Sequence, residues 1–144
     1  MDIEKTIREY IDEVIHMSLA TCKDNKPWIC EVHFSFDNDL NFYFISEPER
    51  RHSEEISLNP NVSGNIIYQH KIGESVRGVY FEGIAEIIQN INEENPAYLS
   101  YCKRFNTGPE ILDHGFYKIK VSDFYLFDDQ ETEPCKKYHL PWSN

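Results

Sequence analysis

The sequence predicts a mainly β protein, a small antiparallel β-barrel of six strands with peripheral helices. Two observations lead to this class. Apolar residues recur at every second position over much of the chain, as they do in strands with one buried face. Short clusters of Asp, Asn, Gly and Pro separate these stretches, which is typical of hairpin turns. A barrel is favoured over an open sheet because closure leaves no unpaired strand edge.

The chain begins with a predicted amphipathic helix over residues 2–16, where apolar residues recur every three or four positions. Its apolar face is expected to cover one open end or side of the barrel. Three strands follow, at residues 17–22, 28–36 and 40–46. The short turns between these strands predict an antiparallel meander.

A second helix is predicted to begin at Ser46, which has capping-box spacing to Glu49, and to end near Leu58. Two strands, a third helix and a long last strand then follow, at residues 62–70, 76–88, 93–104 and 116–127. Gly78 and Gly83 fall inside one of these strands, which indicates a bulge or a close approach by another backbone or a ligand. No element is predicted in the polar tail, about residues 129–144.

The length of 144 residues suits a single domain over residues 1–144. A net charge of −11 without a basic stripe argues against nucleic acid and anionic membranes as partners. The chain has no apolar run long enough to span a membrane, and residues 1–5 lack the apolar segment of a signal peptide. We therefore expect a cytoplasmic protein whose four cysteines are free thiols.

The most informative stretch for function lies where a strand is followed by a helix. Two arginines, an imidazole and a hydroxyl gather there, at residues 50–53. A helix N-terminus offers free amides and a partial positive charge to a phosphate, and arginine can hold phosphate oxygens with two N–H groups. The alternative is a solvated helix start in which Arg50 pairs with Glu54 and Arg51 with Glu55.

An ordered series of short motifs extends this observation over roughly residues 2–128. The series runs from Arg51-His52 through Asn59-Pro60, residues 62–65, Gln69 and residues 76–83 to residues 101–105. It resembles the FMN-binding split-barrel proteins of the pyridoxamine 5'-phosphate oxidase-like superfamily, and within them an uncharacterised bacterial branch. No single motif carries the resemblance, which depends on the order of the series.

The resemblance implies a split β-barrel homodimer that binds FMN in a groove between its subunits. It places Arg51, His52 and Ser53 at the FMN phosphate and Ile45 and Ser46 at the flavin tail. It also places Cys30, Val32 and Ser35 on a strand beside the flavin ring. Gln69 and Arg77 complete the expected cofactor-binding residues, and a strand-edge ion pair is the alternative role for Arg77.

Three departures from the oxidase pattern bear on the activity. His52 stands in place of a lysine, Cys30 and Ser35 in place of an arginine and a lysine, and Gly78 in place of a glutamine. We therefore expect an FMN-dependent oxidoreductase acting on a small molecule or a nicotinamide, rather than a true pyridoxamine phosphate oxidase. The alternatives are a non-catalytic flavin or haem carrier, a stress-related protein, and a deazaflavin cofactor. No catalytic residue is assigned.

Two Cys–His spacings raise the question of a zinc site: Cys30 with His33, and Cys135 with His139. Positions 30 and 33 lie on opposite faces of a strand, so both side chains cannot reach one ion without a bulge. The paired spacing of a zinc knuckle is also missing. We therefore expect no metal site.

Overall fold

A computed structural model describes residues 1–129 and 136–143. Its elements, in chain order, are α1 (Ile3–Glu13), β1 (His16–Lys23), β2 (Lys26–His33), β3 (Ser35–Phe36), β4 (Phe42–Ser46), α2 (Arg51–Leu58), β5 (Asn61–Ile67), β6 (Arg77–Ile87), α3 (Pro96–Phe105), a 3₁₀ turn (Pro109–Asp113), β7 (Gly115–Asp128) and β8 (Lys137–Pro141). The mainly β class with peripheral helices is confirmed. Among the described residues, no helix combines the length and the apolar character that a membrane span requires.

The strands of the described residues form one antiparallel sheet of eight strands, two more than the six predicted, in the order β2-β1-β5-β6-β7-β4-β3, with β8 paired to β7. The two ends of this order, β2 and β3, are consecutive in the chain and are separated only by Phe34. The sheet therefore curls until this segment links its two ends. The strand predicted over residues 28–36 is two strands, because its first part pairs with β1 and its last part with β4.

The hairpin between β1 and β2 forms because the chain reverses over two residues that tolerate a left-handed backbone. Asp24 and Asn25 have φ values of 52° and 61°. Two successive positive φ angles are typical of the type I′ turn, whose twist matches that of paired strands. This turn sets the register in which Leu19 lies opposite Cys30.

The start of α2 differs from the prediction. Strand β4 continues through Ser46, a turn follows in which the Arg50 N–H donates to the Glu47 carbonyl at 3.0 Å, and the helix begins at Arg51. The capping box proposed for Ser46 is wrong because the Ser46 hydroxyl bonds to side chains instead. The predicted end of the helix at Leu58 is confirmed.

The interior of the curled sheet is filled mainly by aromatic rings. The largest fully buried side chains are Phe34, Phe42, Phe44, Phe81, Phe116 and Phe124. Helix α1 covers this core with Ile7, Tyr10 and Ile11, as the amphipathic pattern predicts. A second, smaller cluster lies under α3 and consists of Tyr43, Tyr98, Tyr101, Ile111 and Phe116.

The polar tail contains a strand that the sequence pattern does not reveal. Strand β8 pairs with β7, and the Trp142 indole N–H then donates to the Asp39 carbonyl at 2.8 Å. The bulge predicted for β6 is confirmed, because the register with β7 shifts between Glu82 and Gly83. A Cβ atom at Gly83 would lie 2.5 Å from the Lys120 carbonyl oxygen, so this close approach needs a glycine.

Candidate functional site

A cavity of about 340 Å³ lies where the end of β2 meets the end of β4 and the start of α2. We call it the Ser46–His52 cavity. Its lining comes from five parts of the fold: Glu31, Val32 and His33 of β2, Ile45 and Ser46 of β4, Glu47, Arg50 and His52 at the start of α2, Tyr101 of α3, and His114 before β7. Four of the ten predicted cofactor-binding residues, Val32, Ile45, Ser46 and His52, therefore line one cavity.

A chain of side-chain hydrogen bonds fixes the centre of this cavity. The Ser53 hydroxyl donates to Ser46 Oγ at 3.0 Å, and Ser46 Oγ lies 2.7 Å from His52 Nε2. Because Ser46 accepts from Ser53, its own proton can go either to His52 Nε2 or to the Glu47 carbonyl oxygen at 3.4 Å, according to the tautomer of His52. Ser53 is buried and does not line the Ser46–His52 cavity, so it supports the site through Ser46.

The first turn of α2 leaves its amides available to a ligand. The N-cap residue, Arg50, makes no side-chain capping bond among the described residues. The first N–H groups of any α-helix lack intrahelical partners, and together they carry a partial positive charge. The amides of residues 51–53 therefore add hydrogen-bond donors next to the Ser46 and His52 side chains.

The cavity lining contains basic side chains and carboxylates. Burial lowers the pKa of His52, the neighbouring Arg50 lowers it further, and Glu55 opposes them. Glu47 lies between two basic side chains, 3.7 Å from Arg50 Nε and 3.8 Å from His114 Nδ1. Burial also raises the pKa of Tyr101 to about 12, so its phenol stays neutral in the physiological range.

Arg51, which the sequence places at the phosphate, does not line the cavity. Its Nε donates to Glu55 Oε2 at 2.9 Å, and its guanidinium carbon lies 4.1 Å from the centre of the Trp28 ring. Glu55 is buried and also accepts from Thr21 Oγ1 at 3.1 Å. The ion pair from Arg51 to Glu55 is therefore present as the alternative interpretation expects, while Arg50 pairs with Glu47 instead of Glu54.

Cys30 and Ser35 are neighbours of cavity-lining residues in the sequence, but Cys30 is partly buried and Ser35 is fully buried. Cys30 packs against the barrel core, and burial raises the pKa of its thiol to about 11, with Glu31 adding to the effect. Ser35 is buried, and its hydroxyl finds no hydrogen-bond partner within the described residues. Neither side chain lines the Ser46–His52 cavity.

Gln69 and Arg77 lie at another part of the sheet. Gln69 lines a depression of about 700 Å³ formed by residues 13–16 and 67–70. The Arg77 guanidinium carbon lies 4.6 Å from the centre of the Tyr68 ring, beside the buried hydrogen bond from Tyr10 to Asp128. Within one subunit, neither Gln69 nor Arg77 lines the Ser46–His52 cavity.

Neighbouring depressions nevertheless connect with one another along the protein surface. A depression lined by His16 and residues 31–33 shares Glu31, Val32 and His33 with the Ser46–His52 cavity, and shares His16 with the depression that holds Gln69. In the part of the chain that the structure describes, these three depressions are lined by five of the six histidines, namely His16, His33, His52, His70 and His114.

The remaining histidine and the cysteines do not form a metal centre in the described residues, where no group of three potential ligands comes together. His139 Nε2 lies 2.7 Å from Asp123 Oδ1 and its ring stacks on Tyr125. Cys30 faces the core, whereas His33 is exposed and stacks on Phe105. Cys135 lies outside the described residues.

Six of the cavity-lining residues were not selected from the sequence: Glu31, His33, Glu47, Arg50, Tyr101 and His114. Arg50 was visible beside Arg51, but the sequence does not tell which arginine faces the ligand, because that depends on where α2 begins. Tyr101 and His114 reach the cavity from elements that follow β6. No local pattern could have assigned them.

The sequence model of the pyridoxamine 5'-phosphate oxidase family matches residues 3–128. The chain belongs to this family. A UPF0306 protein of Photorhabdus laumondii is 30% identical to it over 101 residues, which cover 69% of each chain. The resemblance to an uncharacterised bacterial branch of the superfamily is thereby confirmed.

Solved structures of other proteins have the same fold. HutZ, the haem storage protein of Vibrio cholerae, superimposes with a TM-score of 0.70 and 19% identity, covering 84% of this chain and 91% of HutZ. A FAD-binding protein of Mesorhizobium loti gives a TM-score of 0.65 and 19% identity, covering 86% and 91%. These likenesses confirm the predicted split barrel for this member of the family.

Proposed function

We propose that the protein binds FMN, with the FMN phosphate in the Ser46–His52 cavity. The observation that carries this proposal is the convergence of Ser46, His52 and Arg50 on the uncapped first turn of α2. A hydroxyl, an imidazole, a guanidinium and free amides are the groups that proteins use to hold a phosphate. The likeness to a FAD-binding protein of the same fold also supports a flavin.

The proposal changes the phosphate contact from Arg51 to Arg50. The Arg50 side chain lines the cavity and is 68% exposed, whereas Arg51 is held by Glu55 and Trp28. His52 stands where the family pattern has a lysine, and its imidazole ring would contact the phosphate from the cavity lining. Val32 and Ile45 supply the apolar wall that a flavin ribityl chain or ring edge needs.

The cavity volume of about 340 Å³ is at the lower end of the range for small-molecule sites, and the cavity is open to one side. We therefore propose that a second subunit covers the remainder of the flavin, in a homodimer. Gln69 and Arg77, which lie apart from the cavity in one subunit, would then be available to the site of the other subunit.

A bound flavin would supply hydride or electron transfer, and the chain would orient it and shield it from water. The proposed activity is that of an FMN-dependent oxidoreductase acting on a small molecule or a nicotinamide. Burial raises the pKa of Tyr101 and of the Cys30 thiol, so both stay neutral in the physiological range, and Cys30 is partly buried against the core. We therefore assign no proton donor or acceptor to the reaction, and we do not propose pyridoxamine phosphate oxidation.

A haem-binding function is the second candidate. It is favoured by the histidine-lined depressions, since imidazole is a common axial ligand of haem iron. The likeness to HutZ, a haem storage protein, also supports it. FMN is placed first because the cavity offers phosphate-binding groups at a helix start, a feature that haem does not require. A different flavin or a deazaflavin would use the same phosphate contacts.

The visible spectrum of the purified protein, followed by titration with FMN, riboflavin and haem, tests the proposal. We expect FMN to bind at micromolar concentrations or below, and riboflavin to bind more weakly because it lacks the phosphate. Haem binding in the absence of FMN binding would favour the second candidate. A protein that binds none of the three ligands would contradict both. Steady oxidation of NADH or NADPH by the FMN-loaded protein would separate an enzyme from a carrier.

A further inference from the structure

With neutral imidazoles, the charged side chains around the Ser46–His52 cavity leave a small excess of negative charge. Within the described residues, the lining carries one arginine, Arg50, and two carboxylates, Glu31 and Glu47. With the imidazoles neutral, the lining therefore has a net charge of −1. The pair formed by Arg51 and Glu55 behind His52 adds no net charge. A phosphate dianion entering this cavity meets a repulsive field unless further positive charge is supplied.

Three imidazoles of the lining can supply that charge. They come from three parts of the fold: His33 from β2, His52 from α2 and His114 from the segment before β7. Histidine is the side chain whose charge normally changes between pH 5 and 8. Protonation of all three would convert the net charge of the lining from −1 to +2.

The hydrogen bonds of His52 show how its protonation would change the cavity. In a neutral ring that carries its proton on Nδ1, Nε2 accepts the proton of Ser46 Oγ across 2.7 Å. When Nε2 gains a proton it becomes a donor, and the Ser46 hydroxyl can turn to the Glu47 carbonyl oxygen, 3.4 Å away. Burial and Arg50 lower the pKa of His52, so the ring is neutral before the ligand enters. An anion beside the ring would reverse this balance by favouring the charged form.

We propose that the Ser46–His52 cavity takes up protons together with its anionic ligand, so that acidification through the neutral range tightens binding. This inference rests on the proposed function, in which the anion is the FMN phosphate. The direction of this pH dependence follows from linkage. If the bound anion raises the proton affinity of the cavity, then added protons raise the affinity for the anion by the same factor. Each proton taken up would tighten binding about tenfold per pH unit.

Every titratable or charged group that faces the three imidazoles takes part in this balance. These groups are His16 on β1, Glu31 on β2, Glu47 and Arg50 in the turn before α2, Glu55 on α2 and Tyr101 on α3. Glu47 lies 3.8 Å from His114, so protonation of His114 would neutralise a carboxylate that otherwise repels the ligand. His33 stacks on the Phe105 ring at a centroid distance of 5.1 Å, which holds its imidazole at the cavity wall.

Isothermal titration calorimetry of the full chain with FMN provides the test. At about pH 7 the FMN phosphate is mainly a dianion, because the second pKa of a phosphate monoester is about 6. Titrations in two buffers of different ionisation enthalpy then report the protons taken up on binding. We expect net proton uptake, and an affinity that rises between about pH 8 and pH 6.5. Riboflavin, which has no phosphate, should show neither effect.

Three variants locate the protons. His52→Gln should weaken FMN binding at about pH 6.5 and reduce the proton uptake, and His33→Gln combined with His114→Gln should reduce the uptake further. His139→Gln is the matched control, because His139 lies on β8 beside Asp123 and outside this cavity. FMN binding with no proton uptake would overturn the inference and leave the FMN function intact. Absence of FMN binding at every pH would overturn both.

Discussion

Two adjacent arginines, Arg50 and Arg51, have different environments and should therefore have different roles. Arg50 lines the Ser46–His52 cavity, with its guanidinium 3.7 Å from Glu47. Arg51 lies over Trp28 and donates to the buried carboxylate of Glu55. The exposed Arg50 side chain is therefore able to turn towards a ligand. The Arg51 side chain is fixed by Trp28 and Glu55, and it neutralises the buried carboxylate of Glu55.

We predict that Arg50→Ala weakens FMN binding, while Arg51→Ala mainly lowers stability. For Arg50 the expected loss is about 1.5 kcal/mol, or roughly tenfold, the low end for a hydrogen bond to a charged group because the side chain is exposed. Riboflavin binding should change little in Arg50→Ala. Fluorescence titration and thermal unfolding of both variants measure the two effects. A larger loss of FMN affinity in Arg51→Ala would return the phosphate contact to Arg51.

Glu55 provides a prediction about acid stability. The hydrogen bond from Arg51 lowers the pKa of Glu55 below its ordinary value of 4.5; burial opposes this shift, and the bond from Thr21 adds to it. Because the pKa is lower in the folded state, the stabilisation is complete above the unfolded value and is lost as the pH falls through the folded value. Glu55→Gln should therefore be less stable than the wild type at pH 7.

Urea unfolding at neutral pH and at progressively lower pH measures this difference. We expect the gap in unfolding free energy between the wild type and Glu55→Gln to shrink below about pH 4.5, since the wild type then also loses the charge. Glu54→Gln is the matched control, because Glu54 is an exposed neighbour on the same helix. A gap that is constant with pH would show that the carboxylate charge does not stabilise the fold.

At the scale of elements, an arginine of α3 binds to the end of α1. Helix α1 has no basic residue in its last turn, so its terminal carbonyls lack a cation from their own sequence. Arg104 of α3 supplies one: its Nη2 donates to the Val14 carbonyl at 2.8 Å and to the Ile11 carbonyl at 3.2 Å. The same guanidinium lies 5.1 Å from the Phe34 ring centre, at the residue that links β2 and β3.

We predict that Arg104→Met destabilises the protein by about 2 kcal/mol, within the range for hydrogen bonds to a charged group. Methionine keeps much of the packing against the rings and removes the donors to α1. Hydrogen exchange should then increase most at the amides of α1 and least at those of β6 and β7. Lys103→Met is the control, since Lys103 is exposed on the same helix turn. Equal unfolding free energies for the two variants would contradict this role of Arg104.

The elements that the sequence could predict are those with a local burial pattern of their own. Strands with one buried face and the amphipathic α1 have periods that depend only on local burial, and their positions were predicted closely. The break at Phe34 could not be predicted, because it arises from closure of a sheet whose partners are remote in the chain. Strand β8 was missed because its exposed, polar side chains give no alternation of apolar residues.

The residues of the candidate site also divide into those that a local sequence pattern predicts and those that depend on remote packing. Ser46 and His52 were predicted because they belong to a local series of motifs. Tyr101 and His114 were missed because they reach the cavity only after α3 and the following turn pack against β3 and β4. Arg51 was preferred to Arg50 because the resemblance places Arg51 at the phosphate, whereas in the structure Arg51 is held by Glu55 and Trp28 and Arg50 lines the cavity.

At the scale of the whole molecule, closure of the sheet creates the site. The last residues of β2 line the cavity immediately before the link at Phe34, and the end of β4 lies opposite them. Ligand affinity should therefore depend on the closed arrangement of the barrel rather than on any single strand. A net charge of −11 surrounds this site, so local cations and amides must offset the field that an anionic ligand meets.

The outer face of the sheet is the surface on which we propose that a second subunit packs. A shallow depression of about 410 Å³ crosses it, with a mainly apolar lining from β1, β2, β5, β6, β7 and β8. Ile29 of this lining is 60% exposed, and small residues such as Ala20 and Gly64 surround it. An exposed isoleucine among small residues suits a well-packed interface better than it suits water.

We predict that Ile29→Lys converts a homodimer into a monomer and weakens FMN binding with it, because a charged lysine in place of Ile29 would have to lose its water contacts inside the interface. Size-exclusion chromatography with light scattering measures the first effect, and FMN titration of the same samples measures the second. Leu99→Lys is the matched control, since Leu99 is 52% exposed on α3 and lies outside this face. A monomer that keeps full FMN affinity would mean that one subunit holds the whole site. A dimer that persists in Ile29→Lys would place the interface on another surface.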